Sequence, residues 1–163
     1  MDLKTDKNIR ILVIDDDQQL AHMLVEFLVK QGYQAIAAYD GRDGLTQFEQ
    51  GDFQLVILDL KLPDMDGLEV LESIKAVDSR AVVLIITGYG TIESSVTAVK
   101  KGAYDFIPKP IKLEALELVI SRALEKHTLF KQLGIFRGLT LALIISVPVW
   151  LILGIILAKI LLK

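Results

Sequence analysis

Leu55-Val56-Ile57-Leu58-Asp59-Leu60 is the stretch on which the fold turns. An unbroken apolar run that ends on a carboxylate reads as a strand buried on both faces, which is the habit of parallel sheets. Asp59 then stands at the strand's carboxyl end. The next residues, Lys61-Leu62-Pro63-Asp64-Met65-Asp66-Gly67, are turn chemistry marked by Pro63 and Gly67. In an open α/β sheet that edge is where ligands bind. A carboxylate placed there is costly unless a cation meets it.

Working outward, the same pattern recurs on both sides. Upstream, Ile9 to Ile14 is a β-rich run ending on Asp15-Asp16-Asp17. Asp17 is suited to cap a helix, whose apolar face is Leu20, Met23, Leu24, Phe27 and Leu28, with Gly32 as its stop. Gln34 to Ala38 reads as a second strand. Asp40-Gly41 opens a turn, and Leu45 and Phe48 mark a second helix that ends near Gly51. Downstream, a third helix starts after Gly67. Ala81 to Ile86 forms a fourth strand ending on Thr87, and a helix spans roughly Thr91 to Lys101. Tyr104 to Ile107 is a short fifth strand before Pro108-Lys109-Pro110, and a last helix runs from about Leu113 to Leu133. Strand and helix alternate with short connections, which requires a parallel sheet covered on both faces.

The candidate functional residues fall at strand ends that share one edge. Asp15 and Asp16 follow strand one, Asp59 ends strand three, Thr87 ends strand four, and Lys109 follows strand five. Singly, each has a plainer reading. An acidic cluster after a strand caps a helix, a strand-end threonine bonds its own backbone, and a lone lysine is solvated. Together they are an unusual coincidence. Three carboxylates cannot stay anionic in one pocket without a cation. Oxygen ligands without His or Cys suit a hard ion, Mg2+ or Mn2+. Lys109 adds a compact positive charge and Thr87 a hydroxyl donor. These groups suit phosphoryl transfer, with Asp59 as the in-line nucleophile and an aspartyl phosphate as product.

Residues 9 to about 125 closely resemble the receiver domain of bacterial two-component response regulators. The resemblance rests on Ile-Leu-Val-Ile-Asp-Asp-Asp (11–17), Leu-Asp-Leu-Lys-Leu-Pro-Asp-Met-Asp-Gly (58–67), Ile-Thr-Gly-Tyr-Gly-Thr (86–91) and Lys-Gly-Ala-Tyr-Asp-Phe-Ile-Pro-Lys-Pro (101–110). The last two look most like receivers of nitrogen-regulation-type activators. The resemblance implies a flavodoxin-like (βα)5 doubly wound parallel sheet. It implies Asp59 phosphorylated by a sensor histidine kinase or a phosphotransfer protein, in an autocatalytic acceptor reaction and not as a turnover enzyme. It implies Mg2+ held by Asp16, Asp59 and the backbone carbonyl of Lys61, with Asp15 acting mainly through water. It gives Thr87 and Lys109 as phosphoryl contacts, Phe106 as an aromatic switch residue, and a cis Lys109-Pro110 bond. A haloacid-dehalogenase-like phosphatase is the rival, through the Asp-x-Asp spacing of Asp15 and Asp17. Gln19 does not fit that family's pattern, and Asp59 would have no role in it.

Composition separates the rest of the chain from this unit. The protein is 52% hydrophobic with a net charge of −3 and no cysteine. Disulfides and thiolate metal sites are therefore excluded, and the charge argues against bulk nucleic-acid binding. Leu139 to Ala158 holds no charged residue and would span about 30 Å as a helix, the thickness of a bilayer core. Its flanks are basic, with Lys126, Lys131 and Arg137 before it and Lys159 and Lys163 after. Receiver chains usually continue into an output domain, and here this segment follows instead. The expected organisation is a polar extension over 1–8, a receiver over 9–125 and an extended helix and linker over 126–138. A single transmembrane helix over 139–158 and a tail over 159–163 complete it. The receiver should face the cytoplasm, with the chain held in the lipid bilayer of a bacterial inner membrane. Gly138, Ala142, Ser146, Gly154 and Ala158 lie at four-residue steps interrupted by Trp150, a small-residue stripe suited to a homodimer within 138–158. Two functions are compatible: a membrane-tethered switch with output by protein–protein interaction, or a phosphate sink or scaffold without output.

Overall fold

A computed structural model describes residues 9–88 and 91–125. The elements run β1 (Arg10–Ile14), α1 (Gln18–Lys30), β2 (Gln34–Ala38), α2 (Gly41–Gln50), β3 (Leu55–Leu58), α3 (Gly67–Val77), β4 (Val82–Thr87), α4 (Ile92–Lys100) and β5 (Asp105–Pro108). A further helix, α5, covers 113–125. All five strands pair in parallel in the order β2-β1-β3-β4-β5. The order reverses between β1 and β3, so the two helices that leave those strands diverge and open a crevice at the carboxyl edge.

Parity along the strands divides the core. Ile11 and Val13 of β1, Leu55 and Ile57 of β3, and Val82, Leu84 and Ile86 of β4 face one side. There they meet Leu24 and Leu28 of α1 and Leu116, Ile120 and Ala123 of α5. Leu12, Ile14, Val56, Leu58, Val83 and Ile85 face the other side, against Phe48, Val70, Leu71, Ile74 and Ala98. The central strands are thus buried on both faces, and this is why they read as continuous apolar runs. The edge strand β2 alternates instead, with Gln34 and Ile36 exposed.

The helix ends follow local chemistry. Asp17, Asp40, Asp66 and Thr91 cap α1 to α4, each taking a free first-turn N–H. Helix α1 stops at Gly32, whose φ of 92° is open to glycine without strain. The Gly32 N–H donates to the Val29 carbonyl at 2.9 Å and the Tyr33 N–H to the Leu28 carbonyl at 3.1 Å, closing the last turn.

The strand expected to carry Asp59 ends one residue earlier, at Leu58. The Asp59 N–H still donates to the Ile14 carbonyl at 2.9 Å. Asp59 is therefore the first residue freed from the sheet yet still anchored to it. The chain divides between His127 and Thr128, and the described residues all belong to the first part. Among the described residues no helix is long and apolar enough to cross a membrane. The extension over 1–8, the linker, the span expected over 139–158, its small-residue stripe and the tail lie outside them.

Candidate functional site

The pairing of β1 with β3 brings the two acidic strand ends together. Ile14 lies opposite Leu58 in that register, so Asp15 and Asp59 emerge side by side. Each buried carboxylate is oriented in the same way. The Asp17 N–H donates to Asp15 Oδ1 at 3.0 Å, and the Lys61 N–H donates to Asp59 Oδ1 at 3.1 Å. The second oxygens share one cation. Lys109 Nζ donates to Asp15 Oδ2 at 2.7 Å and to Asp59 Oδ2 at 2.6 Å. Lys109 reaches this place from the far side of the sheet because its own N–H bonds the Thr87 carbonyl at 3.0 Å, just before a cis Lys109-Pro110 bond.

Oxygen atoms of Asp15, Asp16 and Asp59 lie within 4.8 Å of one another. Asp15 and Asp59 are buried and Asp16 is exposed, so the cluster has a dry floor and a wet rim. Burial pushes the Asp15 carboxyl above its ordinary range, and the Lys109 hydrogen bond and the Asp17 amide draw it back only in part. Burial alone would lower the Lys109 ammonium. Its hydrogen bonds to Asp15 and Asp59 outweigh that and hold it above the usual lysine value. Lys109 is thus a fixed positive charge across the neutral range. An all-oxygen set on a half-open rim suits Mg2+, which keeps several waters and takes one or two carboxylates. Asp15, Asp16 and Asp59 fit that ion as the residues that would hold it. When bound, Mg2+ supplies the charge that neutralises phosphoryl oxygens.

The remaining expected residues take definite places. Thr87 is fully buried at the end of β4. Phe106 is half-buried in β5 and lines a groove of about 460 Å³ with Val96, Val99 and Asp105. Lys61 lies two residues after Asp59, and its backbone bridges across the loop to that of Asp66. Tyr89 and Gly90 of the loop after Thr87 lie outside the described residues. One residue that sequence reading passed over is Asp64. Its carboxylate accepts from the Gly41 N–H at 2.8 Å and the Arg42 N–H at 3.0 Å, at the start of α2. No spacing in the chain signals a contact across 23 positions. The one local hint is an acidic residue at the tip of a turn.

Fold and site define the class: a doubly wound α/β domain with an acidic, lysine-bridged cation site at the carboxyl edge of its sheet. The response regulator receiver domain pattern matches residues 11–121, and the chain belongs to that family, which serves two-component signalling. It is 39% identical over 124 residues to the transcriptional regulatory protein ZraR of Escherichia coli K12, covering 76% of this chain and 28% of that protein. It is 36% identical over 132 residues to the nitrogen assimilation regulatory protein NtrX of Azorhizobium caulinodans, covering 80% of this chain and 29% of that protein. The chain therefore spans under a third of the length of these relatives. The crystal structure of a response regulator receiver domain protein from Methanospirillum hungatei superposes with a TM-score of 0.70 at 32% identity, over 74% of this chain and 98% of that one. Receiver domains interact with histidine kinases or phosphotransfer proteins. The aspartate cluster is of the kind that binds Mg2+ in such domains.

Proposed function

We propose that Asp59 is the phosphoacceptor of a membrane-held switch. A carboxylate oxygen of Asp59 attacks the phosphorus of a phosphohistidine in a sensor kinase or phosphotransfer protein, or of a small acyl phosphate. The new P–O bond forms as the bond to the donor breaks, and the donor keeps the electron pair. Lys109 balances charge on the incoming group, and Asp15 and Asp16 serve the metal together with Asp59. Lys61 adds its backbone carbonyl to that metal set, with Mn2+ as the substitute ion. Thr87 supplies a hydroxyl to the phosphoryl oxygens, and Phe106 follows Thr87 as the switch, altering the surface of α4, β5 and α5. The chain accepts a phosphoryl group and does not turn over a substrate.

The observation that carries this reading is the geometry of Asp59. It is the first residue past a buried strand, held by the Lys61 amide on one oxygen and by Lys109 on the other. With labelled acetyl phosphate and Mg2+, the native chain is expected to gain acid-stable, hydroxylamine-labile label, and Asp59→Asn to stay at background. Undiminished labelling of Asp59→Asn overturns the assignment.

Residues 139–158 place the domain at the cytoplasmic face of a bacterial inner membrane, with output through protein partners there. What supports this is a length of uncharged sequence matched to a bilayer core, with basic flanks. The small-residue stripe within 138–158 offers a second copy of the chain a close helix contact. On alkaline carbonate extraction of expressing cells, the chain is expected in the membrane pellet, and a chain ending at residue 138 in the supernatant. Full-length protein in the supernatant would refute the tether.

A further inference from the structure

The geometry points to Asp64 as a positioning residue: clasped onto the first turn of α2, it holds the loop that orients the Asp59 carboxylate for the metal. This rests on the metal-dependent acceptor reading above and names a residue that sets it.

The loop has a base and a tip. At its base Lys61 and Asp66 pair across the loop, and the Gly67 N–H donates to the Leu60 carbonyl at 2.9 Å. The Lys61 N–H at this base is the donor that fixes Asp59 Oδ1. A loop closed only at its base can still twist along its length, and the twist turns the peptide that carries the Lys61 N–H out of line with Asp59. The tip decides whether it does. There the two oxygens of Asp64 take the Gly41 and Arg42 N–H groups one each.

Those two donors have no partner inside the helix, since the first N–H groups of any helix are left over. Asp40 takes the next one, from Asp43, at 2.8 Å. Two carboxylates therefore divide the free donors of α2, one local and one from the loop. Gly41 is buried beneath the loop, so its N–H is covered by the Asp64 carboxylate and not by bulk water. Beside this clasp the Met65 side chain lies directly over Gly41. A Cβ at that glycine would stand 2.6 Å from the Met65 sulfur, which no real contact allows. Hydrogen bonds from the Gly41 amide, and then from Arg42, keep the Asp64 carboxyl below the ordinary range, so it stays charged. The tip is thus held by two charge-assisted hydrogen bonds and one close packing contact, all on an element that touches neither metal nor phosphoryl group.

The test separates positioning from plain stability. Mg2+ affinity is measured on the full 163-residue chain by titration with MgCl2, followed through backbone amide resonances of Asp16 and Lys61. Asp64→Ala is expected to bind Mg2+ roughly tenfold more weakly, the scale of losses from groups that orient metal ligands. Asp64→Asn, which keeps one carbonyl acceptor, should fall between. Asp40→Ala removes the other cap of the same helix without touching the loop. It should lower the melting temperature comparably and leave Mg2+ affinity within about twofold of native, as expected for a surface cap. Affinity of Asp64→Ala within twofold of native, or an equal loss in Asp40→Ala, overturns the proposal. Failure of the phosphoacceptor reading itself shows elsewhere, in labelling that persists in Asp59→Asn.

Discussion

Lys109→Met is expected to destabilise the metal-free domain by about 3–5 kcal/mol near pH 8, the scale for removing one partner of a buried ion pair. The side chains of Asp15 and Asp59 are 3% and 5% exposed, and that of Lys109 only 21%, so solvent screens the pair little. Methionine nearly matches the lysine stem in volume, so the loss is of charge and hydrogen bonds and not of packing. What remains is two facing carboxylates with one fixed backbone donor each.

The pH dependence has a definite sign. In the native chain Lys109 lies above its unfolded value, so its contribution is fully present below pH 10.5 and is lost as pH rises through the folded value. Asp15 also lies above its unfolded value of 3.8, so the folded state binds the extra proton and stability falls as pH rises through that window. Without Lys109 the two influences that lower Asp15 through its ammonium are gone, burial and the Asp59 charge still raise it, and only the Asp17 amide opposes them, so Asp15 rises further. The variant's deficit should therefore shrink as pH falls, because the raised Asp15 carboxyl takes a proton before an ordinary one does and the repulsion ends. Urea unfolding at pH 5 and pH 8, with and without 10 mM-scale Mg2+, reads this directly. Added Mg2+ should recover part of the loss at pH 8 by replacing the missing charge. A deficit equal at both pH values would mean that the two carboxylates are not held as facing anions.

Gly67→Ala is expected to cost near the top of the 1–3 kcal/mol range for overpacking, about 3 kcal/mol. A Cβ there would overlap the Asp59 carbonyl oxygen and stand 2.5 Å from Leu60 Cα. Both are backbone atoms, so no rotamer change relieves the clash. The chain must move either the end of β3 or the start of α3, and the first choice displaces Asp59 itself. Loss of Mg2+-dependent labelling should accompany the loss of stability. Gly88→Ala is the matched control. The nearest atom to a Cβ at Gly88 is Lys109 Cβ at 3.9 Å, which is ordinary contact. Its stability should stay within about 0.5 kcal/mol of native. If Gly67→Ala is equally mild, the close approach of α3 to the Asp59 backbone is not a constraint on the fold.

Much of this architecture was legible from residues alone. Val56 to Leu58 and Val83 to Ile86 are unbroken apolar runs because both sheet faces are covered, and that is visible without coordinates. Asp17 caps the helix it precedes, as read from the chain, because a cap is a local bond between residues two or three apart. The placement of Asp15, Asp59, Thr87 and Lys109 on one edge follows from parallel strands alone, since all such strands end on the same side.

Other features belong to the tertiary structure. The order β2-β1-β3 makes Asp15 and Asp59 neighbours, and strand order is a matter of packing that no local period encodes. The length of β3 was set by its partner: the ladder reaches the Ile14 carbonyl and releases the next side chain. Asp64 shows the division most clearly. In the chain it is one acidic residue in a turn, as suited to water as to any partner. Folding sets α2 beside that turn, with two unpaired N–H groups aimed at it. Local bonds could be read from spacing because the chain itself holds the partners together. This one could not, because only the packed sheet brings donor and acceptor within reach.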